Sequence, residues 1–139
     1  MVKVMVFGSF DLFHKGHEFY FKQAKALGDE LVVVIARDVS IERLKHHKPM
    51  FSERKRLNVV KASPFVDKAI LGDKLDFYKV IDKELPDILC LGYDQSVKEE
   101  TLLKALLQRG IDKIKVVRVK SHMPDVYKSS KLKISKNKD

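Results

Sequence analysis

The sequence predicts an α/β protein: a five-stranded, mainly parallel sheet with helices on both faces. Three observations carry that prediction. Short apolar runs alternate with helical patterns along the chain, as in successive βαβ units. One run, residues 30–36 (ELVVVIA), is apolar almost throughout, the pattern of a strand covered on both sides. Helical patterns stop where glycine or proline stands, at Gly28, Pro86 and Gly110.

Taken in order, residues 2–7 (VKVMVF) form a first strand that ends at Gly8. Residues 15–27 set Phe19, Phe21, Ala24, Ala26 and Leu27 around one helical face. The second strand is residues 30–36. Ser52 opens the next helix, with Glu53 in its first turn, where a negative charge suits the helix dipole. Residues 66–71 (VDKAIL) follow as a strand, residues 75–85 as a helix ending before Pro86, and residues 87–91 (DILCL) as a strand. Residues 97–108 have strong helical spacing, and residues 114–119 (IKVVRV) make the fifth strand.

A chain of 139 residues falls within the size of one domain, which we place at residues 1–139. Residues 129–139 read as a basic tail that frays. The single cysteine, Cys90, excludes a disulfide framework and a multi-thiolate zinc site, and it lies mid-strand as a core residue. Low cysteine use fits a reducing, cytoplasmic setting. No run approaches the roughly 18 apolar residues of a membrane span, and the N-terminus lacks the pattern of a signal peptide. The net charge of +9 points to a polyanionic partner. It is concentrated: residues 113–139 hold nine basic residues against Asp125 and Asp139.

Three segments follow strands, where ligands collect in parallel sheets. The first is FGSFDLFHKGH, residues 7–17. His14 and His17 straddle Lys15 and Gly16 at the start of a helix. There a phosphate meets free backbone N–H groups, the positive end of the dipole and two imidazoles. Gly16 permits close approach of the backbone. A metal site on the two histidines lacks cysteine or carboxylate partners nearby. The second segment, residues 37–56, carries Lys48 in a loop and Arg54 at the opening of a helix; His46 and His47 read as a surface turn. The third is Gly92-Tyr93-Asp94, where Gly92 allows a sharp exit from the strand, Tyr93 can stack and Asp94 can accept from a ribose hydroxyl or a base amine.

The string GSFDLFHKGH resembles the (T/S)FDxxHxGH signature of the cytidylyltransferase-like nucleotidyltransferases. That resemblance implies a Rossmann-like three-layer sandwich and transfer of a nucleoside monophosphate from a nucleoside triphosphate to a phosphorylated acceptor, with release of pyrophosphate. It implies that His14 and His17 stabilise the pentacoordinate α-phosphorus. Gly8, Ser9, Phe10, Lys15 and Gly16 then line the nucleotide, and Asp11 holds the turn or approaches a Mg2+ ion carried mainly by the triphosphate. Lys48 and Arg54 match positions that contact the acceptor phosphate, and Lys48 joins the histidines as catalytic. Ser129 and Ser130 resemble the Ser-Thr pair of the family's last motif, and Arg118 stands in for its arginine. His122 and Tyr127 fall in the same stretch. LGYDQ, VVVIARD and VDKAILG are similar to the archaeal FAD synthase branch, which implies ATP and FMN as substrates. Family members are often dimers, which implies a homodimer.

Two alternatives remain at this stage. One is a cytidylyltransferase using CTP and glycerol 3-phosphate or another phospho-alcohol, although Ser63-Pro64-Phe65 replaces the arginine that precedes the VDEV strand in that branch. The other is a basic nucleic-acid-binding module, which the charged tail favours; the absence of tryptophan and of any recognition-helix or stacking motif opposes it.

Overall fold

The computed structural model describes residues 1–93 and 95–119. In chain order the elements are β1 (Lys3–Gly8), α1 (Lys15–Lys25), β2 (Glu30–Ile35), α2 (Asp38–Lys45), α3 (Glu53–Lys61), β3 (Lys68–Leu71), α4 (Lys79–Glu84), β4 (Ile88–Leu91), α5 (Glu99–Gln108) and β5 (Lys115–Arg118). The five strands form one sheet in the order β3-β2-β1-β4-β5, and every pairing is parallel. This is the predicted fold class.

Alternation along the strands sorts the side chains into two cores, because successive residues of a strand face opposite sides. Val4, Val6, Leu31, Val33 and Ile35 face Phe21 and Ala24 of α1 and Leu57 and Val60 of α3. Met5, Val32, Val34, Leu89 and Leu91 face Val80 and Ile81 of α4 and Leu102 and Leu106 of α5. Each of these side chains larger than alanine contributes about 1.5–3 kcal/mol by leaving water. Cys90 lies buried in the first core, and burial pushes its thiol up to about 12, so it is an inert packing residue.

Two elements differ from the sequence reading. Residues 38–45 form α2, which the charge pattern there concealed: only Ile41 of that helix is buried. The helix expected over residues 75–85 begins at Lys79. The Asp73 carboxylate accepts from the N–H groups of Leu75 (3.0 Å) and Asp76 (2.8 Å), and the Asp76 carboxylate accepts from the Tyr78 N–H (3.0 Å). These local bonds hold residues 73–78 in turns and out of the helix.

The strand order places a switch point between β1 and β4. From β1 the chain winds outward through β2 and β3, then crosses back to β4 and continues to β5. Connections leave the two strands in opposite directions, opening a crevice beyond their carboxyl ends.

One side chain ties that edge together. Arg56 of α3 is 1% exposed. Its Nε donates to the Phe51 carbonyl (3.0 Å), and its Nη1 donates to the carbonyls of Ser9 (2.9 Å) and Ala36 (2.7 Å). Its Nη2 donates to Asp38 Oδ1 at 2.6 Å. The exits of β1 and β2, the start of α2 and the loop before α3 therefore meet on one guanidinium. Replacing it with methionine strands three carbonyls and a carboxylate without their donor. Arg56→Met is predicted to lose about 3 kcal/mol of stability in chemical denaturation; a loss below about 1 kcal/mol contradicts the assignment.

Candidate active site

The two signature histidines cap one helix reciprocally. His14 is the extended residue before α1, at φ −145° and ψ 179°. Its Nδ1 accepts the Gly16 N–H at 3.0 Å, while Nδ1 of His17 accepts the His14 N–H at 3.1 Å. This is a capping box built from imidazoles, where serine and glutamate usually serve. Of the backbone N–H groups at this helix start, that of Gly16 is satisfied by His14. A ligand at this end meets the rings and the helix dipole before it meets that amide.

The cap determines the chemistry of the rings. A backbone N–H can only donate, so each Nδ1 is unprotonated and the proton of each neutral ring sits on Nε2. The rings stack with centroids 4.0 Å apart. His17 also stacks on Phe13 at 5.4 Å and meets the edge of Phe10 at 5.3 Å. Burial, reinforced by His14 alongside, lowers the His17 pKa to about 3. His17 is therefore a neutral imidazole with its Nε2–H as donor throughout the physiological range.

Close packing explains the glycines of the signature. A Cβ on Gly16 falls 2.7 Å from Cε1 of His14, and one on Gly8 falls 2.6 Å from Cζ of Phe10. Phe10 itself has φ 52°, a left-handed conformation costing about 1–2 kcal/mol outside glycine. Burial offsets that cost: its ring lies in the core, 5.2 Å from Phe21. The Phe10 ring thus lies in the core and presents its contact to His17. Ser9 likewise has its carbonyl held by Arg56. Lys15 is exposed in the first turn of α1.

Across the switch point, Gly92 and Tyr93 follow β4. Gln95, which sequence reasoning missed, bridges the crevice wall. Its Oε1 accepts the Gly92 N–H (2.8 Å) and its Nε2 donates to the Phe7 carbonyl of β1 (3.0 Å). Arg118 wraps the same loop. It donates to the carbonyls of Gly92 (2.7 Å), Gln95 (2.9 Å) and Val97, and it pairs with Glu99 at 3.0 Å. The sequence reading gave this guanidinium to the nucleotide; in the structure it shapes the loop after β4. Asp94, Ser129, Ser130, His122, Tyr127 and the tail over 129–139 lie outside the described residues.

On the β2 side, Lys48 is exposed in the loop between α2 and α3, and Arg54 is exposed on α3. Arg56, two residues on, is the buried one, a distinction that helical phase could have signalled, since residue 56 falls beside Leu57 and Val60. Asp11 is committed to this loop: its two carboxylate oxygens accept the N–H groups of Met50 (2.7 Å) and Phe51 (2.9 Å). A hollow of about 240 Å³ lies between the signature and α3, lined by Phe10, Phe13, Phe51, Lys55 and Val59 among others, and excludes both histidines. Among the described residues no group of three or more His, Cys, Asp or Glu side chains could hold a metal ion. No helix among the described residues is long and apolar enough to cross a membrane.

A parallel sheet with histidine donors at a helix start beside its switch point defines a site for phosphoryl chemistry. The chain belongs to the cytidylyltransferase-like family, whose model matches residues 5–135, and it is an enzyme of the nucleotidyltransferase kind. At finer grain it is similar to proteins named FAD synthase. The one from Aciduliprofundum boonei is 48% identical over 122 residues, spanning 88% of this chain and 80% of the relative. The one from Thermoplasma acidophilum is 43% identical over 130 residues, spanning 94% and 90%. Among solved structures, one titled as the lipopolysaccharide core biosynthesis protein from Thermoplasma volcanium superposes with a TM-score of 0.82 at 43% identity, covering 88% of this chain and 98% of that one.

The His17 environment predicts a pH signature. The unfolded chain takes up the His17 proton near pH 6.5, the folded chain only near 3. This stabilisation is therefore complete above pH 6.5 and is lost as pH falls from there toward 3, by up to about 1.4 kcal/mol per pH unit. His17→Asn keeps an acceptor for the cap and removes the titration. Its unfolding free energy should be flatter than wild type between pH 6.5 and 4.5; equal slopes contradict a half-buried, neutral His17.

Proposed function

We propose that this enzyme transfers AMP from ATP to FMN, making FAD and pyrophosphate. The observation that supports this most is the locked histidine pair beside the switch point, in a chain 48% identical to a protein named FAD synthase. A phosphate-monoester nucleophile is already largely ionised near neutral pH, since its second pKa is about 6. The chain therefore needs no strong base and no covalent nucleophile. It must align the FMN phosphate oxygen with the α-phosphorus of ATP and stabilise the charge that builds up in transfer.

In this reading the FMN oxygen forms a bond to the α-phosphorus while the bond to the bridging α–β oxygen breaks, and that oxygen leaves with pyrophosphate. His14 and His17 donate from Nε2 to the oxygens that gain charge. As neutral, fixed donors they need no reorganisation when the charge appears, which is the electrostatic advantage of a prebuilt site. The backbone from Gly8 through Phe10, Lys15, Gly16, Gly92 and Tyr93 lines the nucleotide, joined by Asp94, Ser129 and Ser130 from beyond the described residues. Lys48 meets the acceptor phosphate, with Arg54 nearby. Arg118 acts by holding the loop that carries Gly92 and Tyr93. ATP enters as its Mg2+ complex, with the triphosphate carrying the ion. A cytoplasmic homodimer completes the reading on the strength of the family resemblance.

Incubation of the purified chain with Mg2+, ATP or CTP, and FMN or glycerol 3-phosphate, followed by product identification, tests this directly. FAD from ATP and FMN is the expected product; pyrophosphate from none of the pairs refutes the reading. His17→Asn preserves the cap acceptor but removes the Nε2 donor, and should lower kcat by about 10²–10³-fold. His17→Gln, whose amide nitrogen reaches the Nε2 position, should recover part of that loss. Equal activity in wild type and His17→Asn removes the ring from the mechanism. The His17→Ala exchange is less clean, since it also takes away the cap and the Phe10 and Phe13 contacts, about 1 kcal/mol for the cap alone.

A further inference from the structure

We propose that Asp11 is a positioning residue for the acceptor side of the site: its carboxylate fixes the Lys48 loop against the histidine signature. The proposal rests on the reading of function above and assigns Asp11 away from the nucleotide and the metal ion.

Asp11 sits in the signature, three residues before His14. Its two oxygens reach across 39 and 40 residues of sequence to consecutive amides: Oδ2 accepts from Met50 (2.7 Å) and Oδ1 from Phe51 (2.9 Å). A carboxylate gripping two successive N–H groups fixes both the place and the orientation of the peptide between them, and charge-assisted bonds of this kind are the stronger ones. A second tie closes the same junction from the carbonyl side. Arg56 joins the Phe51 carbonyl to that of Ser9, again a signature residue. The loop is thus held to the signature through both the N–H and the C=O of Phe51.

Lys48 lies two residues before Met50, at most about 7 Å along the chain. Its exposed ammonium makes no ion pair among the described residues, so the anchored backbone at Met50 decides where it starts. His14 and His17 are placed by the same signature strand exit. Asp11 therefore sets the spacing between the cation that meets the acceptor and the imidazoles that meet the α-phosphate. A shift of about 1 Å in such spacing is enough to cost about a hundredfold in rate. Both Asp11 oxygens already serve amides, which leaves the carboxylate poorly disposed to ligate an ion.

The test is steady-state kinetics of Asp11→Asn, Lys48→Ala and the double variant, varying FMN and ATP separately. Asparagine keeps one acceptor and turns an amide N–H toward the other backbone donor, so the two-point grip is lost. Asp11→Asn should raise the KM for FMN at least tenfold and leave the KM for ATP within twofold. Adding it to Lys48→Ala should cost little more, since both act on one contact. A rise in the KM for ATP with an unchanged KM for FMN overturns the proposal, as does simple additivity with Lys48→Ala. Should Asp11→Asn not fold, Asp11→Glu moves the same carboxylate by one methylene and must show the same selective rise. A wild-type chain that makes no FAD refutes the functional reading. FAD formation with an unchanged split in Asp11→Asn refutes only the role of Asp11.

Discussion

The buried guanidinium of Arg56 is the constraint around which the carboxyl edge of the sheet is arranged. Parallel strands deliver their loops to one edge, and those loops carry carbonyls and amides that no ladder satisfies. A low-lying apolar plug would leave the exits of β1 and β2 unpaired. Arg56 instead gathers the carbonyls of Ser9, Ala36 and Phe51 and the carboxylate of Asp38. The planar fork suits this task better than a lysine, because its donors point in several fixed directions at once. Everything the site needs on the β1 and β2 side is hung from that junction.

The reciprocal cap shows how economically the same atoms serve fold and chemistry. A helix start must satisfy its first amides. Here the two rings that do so are also the donors assigned to the transferred phosphate in the proposed function. The cap consumes each Nδ1 and so determines the tautomer, while Phe10 and Phe13 desolvate His17 and keep it neutral. The left-handed turn at Phe10 is the strain that permits this: it turns the ring under His17 as the chain leaves β1. On the β4 side, Gln95 and Arg118 do comparable work, engaging the N–H and the carbonyl of Gly92 and so fixing the loop after β4.

Much of this was legible in the sequence because it follows from periodicity and local chemistry. The uninterrupted run over residues 30–36 became the fully paired β2, and the glycine after residue 27 marked the end of α1. The histidine signature located the site, since a strand, a turn and a helix start must coincide there. What escaped was long-range pairing of polar groups. Helical phase sets Arg56 beside Leu57 and Val60 and Arg54 away from them, but the carbonyls and the carboxylate that Arg56 gathers lie elsewhere in the chain, where no local pattern points to them. Arg118 and Asp11 look like ligands in sequence, yet their backbone partners lie 21–40 residues away, where no local pattern reveals them. The short helix α2 was hidden because it buries one side chain and so has no apolar stripe.

The chemistry of the site depends on the state of the two imidazoles, and nitrogen-15 NMR of the histidine rings reads that state directly. The reciprocal cap requires that His14 and His17 carry unprotonated Nδ1 and protonated Nε2 at pH 7, and the desolvation of His17 that it shows no titration between pH 8 and 5. A His17 ring protonated on Nδ1, or one that titrates near 6.5, contradicts it.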